Sequence, residues 1–167
     1  MRTRGLPEII SNTSPLQYLF QLGMLHILPA LAHQVIIPPA VVDELRVGRE
    51  SGVNLPDPAD LDWLVIRPPA SASATRLVTD LGPGETEVLM LAIEATDPIV
   101  IFDDMLARRM ARSLGIRLTG TLGVLLDGKR AELIPTISPL LDRLQHLRFR
   151  LAPHTRAAIL KLAGEEP

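Results

Sequence analysis

Gly82-Pro-Gly-Glu85, the apolar run Val88-Leu-Met-Leu-Ala-Ile93, the segment Pro98-Ile-Val-Ile-Phe102 and the pair Asp103-Asp104, leading to Arg112, decide how the chain is read. Pro98 to Phe102 is short, β-branched and uninterrupted, which predicts a central parallel strand covered on both faces. Val88 to Ile93 is apolar on every side and predicts a helix packed deep in the protein. Glu85 then stands at a helix start, and Asp103 stands where a buried strand ends. In open α/β sheets ligands bind just beyond the carboxyl ends of the strands. Two aspartates at such an end cost electrostatic energy unless a cation neutralises them, and a divalent metal is the obvious candidate. A structural reading stands beside this one. Asp104 suits the N-cap of a helix beginning at Met105, and Glu85 and Glu87 fall in a first helical turn, where the helix dipole favours acids. The chemical reading needs more acids at the same edge.

Working outward, Glu8-Ile-Ile-Ser-Asn12 reads as a first buried strand. It runs into a helix start at Thr13-Ser14-Pro15, with Ser14 as cap, Pro15 at the first helical position and Gln17 completing a capping box. That helix reaches about Gln21, Gly23 breaks it, and a short helix covers about Met24 to Leu31. Gln34-Val-Ile-Ile37 is the second strand, followed from Pro38-Pro39 by a helix over Ala40 to about Val47. Gly48 to Asp62 reads as a flexible connection. Trp63 to Ile66 makes a third strand, and a short helix is expected within Ser71 to Leu81. After the central helix and strand come a helix from Met105 to Leu114 stopped by Gly115, a last strand Ile116 to Thr119, and a helix from Thr121 to about Ala131. Two more helices are expected near Pro139–Leu147 and Pro153–Ala163. Strands separated by helices imply parallel βαβ units with right-handed crossovers. The expected fold is a three-layer α/β/α domain with a central parallel sheet. It spans residues 1–167, with about 132–167 as a C-terminal helical extension.

The chain has 167 residues, no cysteine, 47% hydrophobic and 22% charged residues. One domain with a real core is the default at this length, and disulfides, thiolate metal sites and a cysteine nucleophile are excluded. No stretch has the apolar length of a membrane span and no secretory signal is read, so a cytoplasmic location is expected. The net charge of −2 hides a segregation. Residues 1–104 carry six Lys/Arg against fourteen Asp/Glu, net −8, and residues 105–167 carry eleven against five, net +6. An acidic half suited to a metal is joined to a basic half suited to phosphates.

At the strand ends, Asn12, Ser14, Glu85, Asp103 and Asp104 are expected to meet at one edge, with Glu44 leaning in from its helix. Carboxylates grouped in this way suit Mg²⁺ or Mn²⁺, whose waters become nucleophiles for phosphodiester hydrolysis. His26, His33, His146 and His154 show no metal-ligand spacing. Arg108, Arg109 and Arg112 lie on the helix leaving the acidic edge. Arg108 and Arg112, one turn apart, either hold phosphates or belong to a solvated helical face. With three Phe, one Tyr and one Trp, a base-stacking platform is not expected.

The order of these motifs resembles the PIN domain: strand–Asn12-Thr-Ser14, Pro39 followed by Glu44, Gly84-Glu85, strand–Asp103-Asp104. It is most similar to short prokaryotic members that carry Ser-Asn-Thr-Ser-Pro-Leu, Pro-Gly-Glu and Thr-Gly-Thr-Leu-Gly-Val-Leu, here Ser11–Leu16, Pro83–Glu85 and Thr119–Leu125. The resemblance implies a metal-dependent endoribonuclease, with a toxin of a toxin–antitoxin pair as one form. Glu44, Glu85 and Asp103 match the family's second to fourth acidic positions and would bind the metal. Ser14 matches a supporting hydroxyl residue, and Asp104 either supplements the site or caps its helix. The family's usual first aspartate is replaced by Asn12, which still offers a carbonyl oxygen and would orient a metal-bound water. RNA, an antitoxin-like protein and a second copy of the chain are the expected partners, with no membrane. Two rivals remain. One is a catalytically weakened PIN fold that binds protein or nucleic acid. The other is a receiver- or phosphatase-type phosphoryl-transfer domain, which wants paired acids after the first strand where Asn12-Thr13 stands.

Overall fold

Five short segments, mostly β-branched, pair into a single parallel sheet in the order β3-β2-β1-β4-β5. They are β1 (Glu8–Ser11), β2 (Gln34–Ile37), β3 (Leu64–Ile66), β4 (Pro98–Ile101) and β5 (Arg117–Thr119). The structure is a computed structural model and describes residues 5–70 and 80–166. Helices flank the sheet: α1 (Thr13–Gln21), α2 (Ile27–Leu31), α3 (Pro39–Glu50), α4 (Pro83–Glu94), α5 (Met105–Ser113), α6 (Thr121–Arg130), α7 (Ser138–His146) and α8 (Pro153–Leu162). The sheet is the α/β arrangement the strand–helix alternation implied. The short helix expected within Ser71–Leu81 falls on residues 71–79, outside the described ones.

Burial explains the sheet's continuity. Ile10, Val35, Ile36, Ile37, Val100 and Ile101 are all buried, as a parallel strand covered on both faces requires. Leu16 and Leu19 of α1 and Leu45 of α3 close over them fully, each contributing about 1.5–3 kcal/mol of apolar burial. Among the described residues no helix is long and apolar enough to cross a membrane.

Several local expectations are corrected. Asn12, in extended conformation (φ −82°, ψ 175°), is the N-cap of α1, so the helix starts at Thr13 and Ser14 lies inside it. Pro15 is tolerated there because first-turn N–H groups have no helical partner, and Gln17 sits too far along to close a capping box. Helix α3 runs through Gly48 to Glu50. Gly48 serves packing here, because a Cβ would stand 2.3 Å from Leu55 Cδ1. Helix α4 is buried along Val88–Ala92 but not on every side, since Ile93 in its last turn is 61% exposed. The third strand begins at Leu64, after Trp63.

Topology marks one crevice. From the sheet centre, β1 connects outward to β2 and β4 connects outward the other way to β5. The reversal falls between β1 and β4, paired in register through Ser11↔Ile101. Asn12 and Asp103 follow those two strands, at the position where doubly wound sheets open a ligand crevice.

Candidate functional site

Beyond β1, the Asn12 amide N donates to Ile101 O at 3.2 Å, which fastens the strand end to its neighbour. The Asn12 side chain is buried, and its Nδ2 donates to Glu85 Oε1 at 3.4 Å. Its Oδ1 is buried with no hydrogen-bond partner. Asparagine at an N-cap normally accepts a helix N–H, yet no side-chain cap bond forms here.

Glu44 reaches in from α3. The Thr13 hydroxyl donates to its Oε2, and the Gly84 amide donates to Oε1 at 3.0 Å. A Cβ on Gly84 would lie 2.7 Å from both Glu44 oxygens and 3.0 Å from Asn12 Oδ1. Asn12 and Glu44 therefore close around a backbone that only glycine allows to approach this far. Glu85, in the first turn of α4 behind the Gly82 N-cap and Pro83, completes this group.

Asp103 stands at the adjacent strand end with both oxygens engaged by the start of α6. Thr121 N donates to Oδ1 at 2.8 Å, and the Thr121 hydroxyl donates to Oδ2 at 2.6 Å. Burial raises the Asp103 carboxyl above its ordinary range; the Thr121 hydrogen bonds and the Arg108 charge only partly oppose it. Arg108 donates from Nη1 to Phe102 O at 2.8 Å, and a Cβ on Gly120 would meet both Arg108 Nη1 (2.9 Å) and Asp103 Oδ1 (3.0 Å).

The structure thus brings Asn12, Glu44 and Glu85 together, and holds Asp103, at the neighbouring strand end, in a second hydrogen-bonded group. No hydrogen bond joins the two groups among the described residues. Asp104 accepts from Ala107 N at 2.9 Å and is the N-cap of α5, so it caps its helix. Ser14 is half-buried, and the neighbouring Thr13 supplies the hydroxyl bonded to Glu44. Arg112 is exposed in the last turn of α5 and forms no hydrogen bond or ion pair among the described residues. Sequence reasoning missed Thr13, Thr121 and the Gly84 amide. The Thr119-Gly120-Thr121 run, a hydroxyl residue opening a helix beside a strand end, was the available signal for Thr121.

A family model described as DUF3368: PIN domain matches residues 8–165. The chain belongs to this PIN-domain family. Among solved structures, a PilT N-terminus domain protein, SSO1118 of the hyperthermophilic archaeon Sulfolobus solfataricus P2, is similar over 72% of this chain and 92% of that one. The TM-score is 0.53 and the identity 19%, a likeness of fold alone. No curated protein matches. PIN domains are commonly nucleases and generally use divalent metal ions.

The residues of this PIN domain suit such an ion in kind, since every donor at the edge is oxygen. Among the described residues, however, no group of three His, Cys, Asp or Glu is gathered so that it could hold a metal. The acids alone do not complete a site. The buried, unpartnered Asn12 Oδ1 is the additional donor available beside Glu44 and Glu85.

Proposed function

We propose that this PIN domain is a Mg²⁺- or Mn²⁺-dependent endoribonuclease whose metal is held by Asn12 Oδ1, Glu44, Glu85 and Asp103. The observation that carries the reading is Asn12 Oδ1, a buried acceptor left unpaired at the sheet's switch point between two carboxylates. An unsatisfied buried polar atom costs about 1–3 kcal/mol, and a cation would remove that cost. When bound, the ion supplies positive charge that lowers the pKa of water and steadies charge on a phosphodiester. The chain's own groups do the positioning. Thr13 and the Gly84 amide aim Glu44, Asn12 Nδ2 aims Glu85, and Thr121 fixes Asp103. Arg108, beside Asp103, offers a guanidinium to a phosphate oxygen. Arg112, in the last turn of α5, and Ser14, in the first turn of α1, would support. A partner of antitoxin type belongs to this reading and would show as a small reading frame adjoining the gene.

The test is cleavage of a mixed RNA pool by the wild type and Asp103→Asn, each with Mn²⁺ or with EDTA. Cleavage only by wild type with Mn²⁺ supports the enzyme. Equal cleavage by the variant, or cleavage in EDTA, contradicts it. A second reading, a PIN fold kept for binding RNA or protein, is favoured by the neutral Asn12 at a position where the family usually carries a charge. Wild-type silence with cleavage by Asn12→Asp would establish that reading.

A further inference from the structure

A cleft of about 460 Å³ opens beside Asp103, between α5, α6 and the segment joining α7 to α8. Leu122, Phe149 and Ile159 give it apolar lining, Thr155 adds a hydroxyl, and Arg108 and Arg150 line it as well. The size falls within the range of small-ligand sites. Gly120 lines the cleft without a side chain, and a Cβ there would stand within 3.0 Å of both Arg108 and Asp103. Gly123 also lines it, packed so closely that a Cβ would overlap Thr119 Oγ1.

Neither arginine forms an ion pair among the described residues, although the Asp103 charge acts on Arg108. Arg150 is exposed and forms no hydrogen bond or ion pair among the described residues. Arg108 is bonded to a neutral carbonyl, Phe102 O. Its guanidinium is half-buried at the edge of the cleft, beside Gly120. A half-buried arginine in that position gains from an anion. Phe149 is held by an edge-on contact with Tyr18, ring centroids 5.0 Å apart at 89°, so the wall it provides is fixed.

We infer that this cleft seats one nucleotide of a single RNA strand, its base against the Leu122–Phe149–Ile159 wall and its phosphate between Arg108 and Arg150. The inference rests on the nuclease reading only for the identity of the strand, which passes Asp103. One seat suits a chain with few aromatic residues, since it needs a single fixed wall and no platform. Arg forks suit phosphate oxygens in two-pronged geometry. Residues from the α7–α8 segment thereby contribute to recognition, although all the candidate metal ligands lie before Gly120.

The test uses the full chain in EDTA, so that binding is read without cleavage. Fluorescence anisotropy with a labelled single-stranded RNA decamer, and with an abasic ribose-phosphate strand of the same length, supplies the readout. Arg150→Gln should weaken decamer binding about fivefold at 0.1 M salt and flatten log K against log salt by about 0.7, the loss of one phosphate contact. The abasic strand should bind wild type more weakly than the decamer, and Thr155→Leu, which narrows the cleft, should erase that difference. Unchanged binding by Arg150→Gln overturns the proposal. Equal binding of the decamer and the abasic strand to wild type overturns the base seat. RNA binding with these sensitivities but no Mn²⁺-dependent cleavage would sink the nuclease reading and leave the seat standing; cleavage with binding indifferent to Arg150→Gln would do the reverse.

Discussion

Asn12 Nδ2 donates to Glu85 Oε1 at 3.4 Å, and this commitment leaves Asn12 Oδ1 buried with no partner although Asn12 is the N-cap of α1. A capping bond ordinarily contributes about 1 kcal/mol, so the side chain forgoes local stability to face the crevice. Asn12→Asp adds a charge there. Without metal the new carboxylate is desolvated and faces Glu44 and Glu85, so the melting temperature should fall. With Mn²⁺ the order should reverse. Tenfold tighter metal binding corresponds to about 1.4 kcal/mol, and at saturating ion it should appear as a larger thermal upshift than in wild type, with faster RNA cleavage. A variant that melts as wild type does in both conditions would show that position 12 does not face the ion.

Gly84 admits Glu44 and Asn12 to each other. Gly84→Ala puts a methyl group 2.7 Å from both Glu44 oxygens, so the Glu44 carboxylate must swing away from the Gly84 amide or its helix must shift. Overpacking of this kind costs about 1–3 kcal/mol, measurable by urea denaturation, and cleavage should be lost with it. Because Ala is the better helix former, stabilisation by Gly84→Ala would mean that the close approach does not exist.

Asp103 gives a pH signature. Its carboxyl is raised by burial, with Thr121 and Arg108 partly opposing. The unfolded chain therefore ionises first as pH rises. Stability associated with Asp103 is full below the ordinary carboxylate range and is lost as pH climbs through the raised folded value. Asp103→Asn keeps the shape and can still bond Thr121, whose hydroxyl can turn to accept from the amide. It should be more stable than wild type at neutral pH, with the gap closing as the medium is acidified, while cleavage is abolished. Denaturant melts at several pH values check this, and a variant less stable at pH 7 would contradict it.

The sheet was legible because buried parallel strands advertise themselves as short β-branched runs, as in Gln34–Ile37 and Pro98–Ile101. The crevice was legible for a related reason: a residue directly following such a run, Asn12 or Asp103, must emerge at the strand's carboxyl end. What was not legible depends on contacts across the chain. Thr13 meeting Glu44, and Thr121 meeting Asp103, are fixed by how helices land on the sheet, 31 and 18 residues apart in sequence. Ser14 looked like the cap only because Pro15 follows it, and the backbone placed that proline later in the first turn. Phe149 and Arg150 lie in a connection with no periodicity, so only folding showed that they line the cleft beside Asp103.

The C-terminal helices are tied down by one carboxylate. Glu165 accepts from Lys129 Nζ at 2.8 Å and from the amides of Ile137 (2.8 Å) and Ser138 (3.1 Å), at the start of α7. Burial alone would raise this carboxyl, but the bonds from Ile137, Lys129 and Ser138 outweigh it and hold it below the ordinary range. Its stabilisation is therefore present above the usual carboxylate pKa and is lost as pH falls through the depressed folded value. Glu165→Gln should cost about 1–2 kcal/mol at neutral pH and little in strong acid. Hydrogen exchange should show the α7 and α8 amides losing protection first. Equal loss in β1 and β4 would contradict a local tether.

The most direct measurement is a Mn²⁺ titration of the wild type and Asn12→Ala, following free ion by electron paramagnetic resonance. A cation held through Asn12 Oδ1 beside Glu44, Glu85 and Asp103 should give one saturable site per chain. Its affinity should fall at least about tenfold, or about 1.4 kcal/mol, when that oxygen is removed. An Asn12→Ala isotherm superimposable on wild type, or no saturable site in wild type, would contradict it.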